Sequence, residues 1–325
     1  MNTSIKQNLN SISVTSNIRL SISESGKTAE DIRKTEKVTK SISMVLVYAF
    51  LFIMALIIVF PFYWMIITSL KQNTEIQSNT QTFFPNIVMW SNYVYVFKTF
   101  DFFTYMKNTI IVAIFSTAGT LITTVFAAFA FSRLTFKGRD FLFMIFLMTM
   151  MIPGEMYTIT NYLTVSAWGW RDTFTVMILP FLVSVYYIYL LRNNFMQIPD
   201  SLYKAAKVDG LSDMGYLVKV MVPLTAPTLV SITLLKFIGT WNSYIWPRLV
   251  NSKDWQMVTN WVTRGFTDRI GTMSGALYGL PGYGSETLTT LKMAAVCMVS
   301  LPLFILFITC RKYIMHGVSK SGTKG

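Results

Sequence analysis

Stretches without a single charge set the limits on what this chain can fold into. No Asp, Glu, Lys or Arg lies between Lys40 and Lys71, between Lys107 and Arg133, or between Asp172 and Arg192. A helix rises about 1.5 Å per residue, so roughly 20 mostly apolar residues cross a hydrocarbon layer. Backbone polar groups find no water there, which leaves helices as the form for such segments. Three further apolar stretches carry one charge each: one starts after Asp140 and holds Glu155, another holds Lys236, and the last holds Lys292. Six transmembrane helices are expected, at about 44–67, 109–131, 141–163, 172–192, 222–247 and 289–310, so the fold class is an all-α integral membrane protein. Composition agrees: 53% of the 325 residues are hydrophobic and 13% charged, roughly half the charged share of a soluble domain. That argues against a chain disordered over most of its length, a secreted disulfide scaffold and an ordinary cytosolic enzyme. The two cysteines, Cys297 and Cys310, both fall in the last apolar stretch without CxxC spacing, which supports neither disulfides nor structural zinc.

Residues 1–41 are rich in Ser, Thr, Asn and Lys and read as a disordered tail, with 42–325 as the transmembrane domain. No apolar segment near Met1 suggests a cleaved signal peptide. The net charge of +13 would suggest nucleic acid in a soluble protein. Here the basic residues concentrate in the tail, the 2–3 loop (Arg133, Lys137, Arg139), the 4–5 loop (Arg192, Lys204, Lys207, Lys219) and the C-terminus (Arg311, Lys312, Lys320, Lys324). Six spans place all four on one side. The positive-inside rule then makes both termini cytoplasmic in a multi-pass cell-membrane protein, and the charge needs no nucleic acid. The two long outer loops, about 68–107 and 248–288, are aromatic-rich and suit interfacial belts with short helices, or a docking face for an outside partner.

The 4–5 loop is the most informative connector. Pro199 beside Asp200 and Ser201 reads as a helix start, with a short helix over Leu202 to Val208. Gly210 would end it with a positive φ, and a second helix would begin near Ser212 or Asp213. The result is a compact knob in which Ala205 and Ala206 allow close approach of a partner. By itself this could be an inert connector. Other chemistry is sparse. Gly26-Lys27-Thr28 lacks the glycine that a P-loop needs five positions earlier, where Ser21 stands. His316 is the only histidine, which excludes a His-based triad or metal cluster. No GxSxG elbow occurs, and the glycines from Gly271 to Gly284 read as a flexible outer loop. Polar and aromatic groups within the middle spans (Glu155, Asn161, Lys236, Trp241, Asn242 and Tyr244) are the candidates for a substrate path. Lys236 and Lys292 could equally snorkel or pair across helices, and Trp241 could simply pack.

The run Ala205-Ala206, Asp209-Gly210 and then Val220-x-Val222-Pro223 resembles the EAA loop of ABC importer permeases, with the same spacing to the glycine and to the proline. Phe60-Pro61-Phe62-Tyr63-Trp64 through Lys71, Phe84-Pro85 with Trp90 and Asn92-Tyr93, and Ala130-Phe131-Ser132-Arg133 through Arg139 look like the carbohydrate subgroup. So do Ile152-Pro153-Gly154-Glu155, Trp241-Asn242 through Trp246-Pro247, and the C-terminal Gly317 with Lys324-Gly325. The match covers about residues 44–325 and is closest to the six-span partner of the maltose-type pair. The resemblance implies a type I ABC importer permease fold, with a core at about 104–311 and a cytoplasmic coupling helix. It also implies carbohydrate import without an ATPase site of the chain's own: no cofactor here, with ATP held by a separate cytoplasmic ATPase dimer. A second homologous permease and an extracytoplasmic sugar-binding protein would complete the system. The coupling residues it implies are Lys204, Ala205, Ala206, Asp209, Gly210 and Pro223. Lys204 departs from the family, whose motif glutamate stands at that place. A lysine cannot pair with a basic group on the ATPase, so an acidic or neutral partner group, or docking by shape, is expected. A proton- or ion-coupled secondary transporter is the alternative, but it would use membrane carboxylates, and only Glu155 qualifies.

Overall fold

The computed structural model describes residues 29–78, 81–99, 101–252, 254–265 and 289–319, which are helical with no strand among them. The chain divides into a unit ending at Trp64 and a unit from Met65 onward. The first helix, α1 (Ala29–Ser69), starts inside the segment expected to be a disordered tail. Ala29-Glu30-Asp31 places good helix formers and acidic residues first, and Arg and Lys follow, an order that favours helix over coil. Within the first unit, Leu46, Phe50 and Ile57 are exposed as a lipid-facing surface requires, and the ring of Phe60 stacks on Trp64 at 5.9 Å.

The second unit continues with α2 (Asn73–Gln77) and α3 (Ser91–Thr99), then the long α4 (Phe102–Arg133). After these come α5 (Arg139–Thr149), α6 (Thr158–Ala167), α7 (Phe174–Ile178) and α8 (Val185–Met196). Further along are α9 (Asp200–Val208), α10 (Asp213–Tyr216), α11 (Ala226–Trp241), α12 (Ile245–Val250) and α13 (Thr289–Ser319), with shorter helical turns between them. Among the described residues three helices are long and apolar enough to cross a membrane (Val38–Ser69, Phe102–Arg133 and Thr289–Arg311), and three bent pairs bring the possible crossings to six.

The third, fourth and fifth spans, read from sequence as continuous, are each broken. In the third, α5 and the segment Gly154–Ala167 meet at 87°. Pro153 sits extended there (ψ 133°); its ring has no N–H to donate and disfavours helix at the residue before it. In the fourth, Phe174–Phe181 and α8 meet at 46°, with Pro180 in the turn and Ser184 extended. In the fifth, Asp213–Leu224 and α11 meet at 80°. Pro227 stands in the first turn of α11, and the Thr225 hydroxyl donates to the Met221 carbonyl at 2.9 Å. The fifth span also ends earlier than expected. The backbone turns at Asn242 and Ser243, residues that favour turns over helix, and residues 245–250 form the separate α12. The Trp246 indole N–H, donating to the Val176 carbonyl at 3.0 Å, fixes α12 to α7.

The central element is α4. Its buried face carries Thr109, Ala113, Ser116, Thr117, Thr120, Thr124 and Ala128, small side chains at helical spacing that let neighbours come close. Where the fourth span unwinds, α4 supplies the missing donors: Thr120 Oγ1 donates to the Phe181 carbonyl at 3.1 Å and Thr123 Oγ1 to the Leu182 carbonyl at 2.5 Å. A Cβ on Gly119 would stand 2.4 Å from a terminal methyl of Leu182, so a larger residue there requires the Leu182 side chain to turn aside. Replacing Gly119 by Val should overpack the joint and cost about 1–3 kcal/mol. It should lower the unfolding temperature of the purified protein, and adding Leu182→Ala should restore much of the loss. An unchanged temperature in the single variant would show that the joint has slack.

Candidate functional site

The knob between the fourth and fifth spans has the form expected from sequence. Pro199 occupies the N-cap position, one residue outside the helix. At the other end, Gly210 (φ +75°) donates to the Lys207 carbonyl at 3.1 Å and Leu211 to the Ala206 carbonyl at 2.9 Å. This paired arrangement ends a helix on a left-handed residue and favours glycine there. The Ser212 hydroxyl accepts from the Gly215 N–H at 3.1 Å and caps α10. Asp213 ties the two short helices together. It accepts the Tyr203 hydroxyl at 2.6 Å, pairs with Lys207 at 2.7 Å, and the Tyr203 ring meets Tyr216 edge-on at 5.0 Å. Lys207 and then Tyr203 hold the Asp213 carboxyl below the usual carboxylate range, while Asp213 raises both Lys207 and Tyr203. A carboxylate of lowered pKa contributes stability above its unfolded value, lost as pH falls through the folded value.

One side of the knob is buried and the other is free. Ala206 is buried in a cluster with Phe129, Leu191, Phe195, Tyr216, Leu217 and Ile232, which joins the knob to α4, α8 and α11. Lys204, Ala205, Asp209 and Gly210 are exposed, as is Val208 at 88%. Pro223 is also exposed, but it lies in the helical turn Val222–Leu224 beyond the knob. The knob therefore brings together Lys204, Ala205, Asp209 and Gly210, with Ala206 as its inward anchor and Pro223 apart.

Two arginines outside the expected set fasten the knob's base. Arg133, with a side chain only 5% exposed, donates to the Phe195 carbonyl at 2.7 Å and to the Ile198 carbonyl, and pairs with Asp200 in the first turn of α9. Arg192 of α8 reaches back, donating to the Phe131 carbonyl at 3.1 Å while its guanidinium lies 4.1 Å from the Phe143 ring centroid. The ends of α4 and α8 thus hold each other's backbone. The sequence marked Arg133 as part of a span exit and of the basic 2–3 loop; its positive charge carries no signal that it faces inward.

The substrate-path candidates scatter. Glu155 is exposed in the bend of the third span, and Asn161 is exposed on α6. Trp241 is 1% exposed and packs beside Phe237. Asn242 is exposed in the turn, and the Tyr244 hydroxyl accepts from Arg248 at 2.9 Å. Of the six, Lys236 alone lines the described cavity of about 350 Å3, beside Ser116, Phe181, Ser184, Tyr187, Thr240 and Ser243. Its ammonium donates to the Phe181 carbonyl at 3.0 Å, at the break of the fourth span. The hydroxyls were missed because single Ser and Thr residues in apolar helices form no pattern. The expected glycine-rich outer loop, Gly271 to Gly284, lies outside the described residues.

Residues 119–320 match the family model described as binding-protein-dependent transport system inner membrane component. The arabinooligosaccharides transport system permease protein AraQ of Halalkalibacterium halodurans is 29% identical over 297 residues, covering 90% of this chain and 99% of that protein. The trehalose/maltose transport system permease protein MalG of Thermococcus litoralis is 30% identical, with 84% and 94% covered. A chain from the crystal structure of a bacterial ABC transporter involved in the import of the acidic polysaccharide alginate superposes with a TM-score of 0.75 at 26% identity, covering 85% of this chain and 97% of that one. A family match over more than half the residues, on a helical frame shared with a solved importer, makes the chain a member of the binding-protein-dependent transport inner membrane components, a multi-pass permease of the type I ABC importer fold.

Proposed function

We propose that this chain is one permease half of an ATP-driven importer for a carbohydrate. A binding protein outside the membrane would deliver the solute, and a second homologous permease would complete the path. A cytoplasmic ATPase dimer would hold the ATP, so the chain needs no cofactor or catalytic site of its own. The observation that carries the reading is the knob: an exposed face of Lys204, Ala205 and Val208 on a short helix whose base is clamped to α4 and α8 by Arg133. A face that receives force must be rigid beneath and open above, and this one is both. The carbohydrate is supported by relatives whose names specify arabinooligosaccharides and trehalose/maltose.

In this role the knob and both termini face the cytoplasm, in line with the basic residues of that side. Closure of the ATPase dimer on ATP moves the knob, and the spans rock between two packings about a central site. Lys204 then meets an acidic or neutral group of the ATPase.

Three measurements in proteoliposomes holding the complete importer test these roles. Lys204→Glu should lower ATP-driven uptake at least several-fold; improved uptake would show that the ATPase offers a basic group after all. Arg133→Met should preserve ATP hydrolysis while uptake per ATP falls, the pattern of a positioning residue. Equal loss of both would reduce Arg133 to general stability. Asp213→Asn at neutral pH should raise amide hydrogen exchange over 211–216, and acidification of the unmodified protein through the carboxylate range should do the same after correction for intrinsic rates. Flat exchange in both would remove Asp213 as the brace.

A further inference from the structure

The cavity beside the break in the fourth span has an uncompensated charge. Lys236 projects from the spanning helix α11, where a lone ammonium is expensive unless it meets a partner. Among the described residues no carboxylate lies within ion-pairing distance of it; its one hydrogen bond goes to the neutral carbonyl of Phe181, whose ring centroid lies 6.0 Å away. An ammonium has three donors, so two remain for the cavity. Around it the hydroxyls of Ser116, Ser184, Thr240 and Ser243 make no hydrogen bond to any described residue, and the ring of Tyr187 completes the wall. The first turn of α8 borders the same space through Ser184 and Tyr187, and its N-cap side chain makes no capping bond. The backbone N–H groups of that turn add a partial positive charge. A cation, unspent hydroxyls and an aromatic ring in about 350 Å3 match a small polyhydroxylated ligand bearing a negative charge.

We infer that Lys236 and the hydroxyls around it form an anion-selective subsite on the translocation path, so that the solute is an anionic saccharide carrying a carboxylate or a phosphate. This rests on the importer reading and narrows its substrate class. Lys236 supplies the charge that replaces water around the anion, the hydroxyls take the sugar's own hydroxyls, and Tyr187 offers a flat apolar face. A neutral sugar of the same size would leave the ammonium unpaired and gain less from the site.

The test uses the complete importer in proteoliposomes with its binding protein, and follows uptake of trigalacturonate, glucose 6-phosphate and maltotriose as separate probes. The inference expects ATP-driven uptake of at least one anionic probe, reduced tenfold or more by Lys236→Met and largely retained by Lys236→Arg, when uptake is compared per assembled complex. Which anionic probe moves tells carboxylate from phosphate. Uptake of maltotriose alone, uptake of none of the three, or anionic uptake indifferent to Lys236→Met would overturn it. The importer reading is judged separately, by whether the binding protein stimulates ATP hydrolysis at all.

Discussion

Wherever a span of this protein unwinds, a carbonyl loses its helical partner in surroundings where lipid offers no donor, and the protein must provide one. That requirement organises the second unit. At the break of the fourth span, Thr120, Thr123 and Lys236 donate to the carbonyls of Phe181 and Leu182. At the other end of the same span, Arg133 donates to Phe195 and Ile198. Nearly all of these donors stand on α4, which remains unbroken and presents a face of small residues to its neighbours. Each orphan carbonyl left without a donor would cost on the order of 1–3 kcal/mol, and at the break of the fourth span α4 removes much of that cost.

The same helix gives the knob its footing. Arg133 and Arg192 exchange bonds between α4 and α8 at the level where the chain leaves the fourth span, so the two ends cannot slide past each other without losing both. The knob adds its own closure through Asp213, Lys207 and Tyr203. These polar contacts ride on a buried apolar cluster that runs from Phe129 through Ala206 to Ile232. In the proposed role, movement at Lys204 and Ala205 reaches three spans through one packed body.

The spans and the knob were legible in the sequence because their signals are local. An uncharged run is a property of neighbouring residues, and Gly210 announces a left-handed turn by having no Cβ. The breaks were half legible: Pro153, Pro180 and Pro227 stand at them, yet a proline inside an apolar run kinks some helices and unwinds others, and at Pro180 the donors that offset the unwinding come from α4, far away in the chain. The start of α1 at Ala29 was hidden by polar composition, which suits a helix as well as a coil. Most of the substrate-path residues were chosen for being polar or aromatic; Trp241 is buried beside Phe237, and Asn242 stands in the turn that ends α11. The cavity hydroxyls could not have been chosen, because Ser116, Ser184 and Thr240 are scattered over the chain and meet only in space.

The 80° elbow at Thr225 has a mechanical consequence. A thrust along the segment Asp213–Leu224 arrives almost at right angles to α11, so it cannot drive that helix along its own length. It arrives as torque, and α11 answers by swivelling as a crank does. Lys236, Gly239 and Thr240 ride on the cranked arm, so a small stroke at the base becomes a change in the direction these residues present to the cavity.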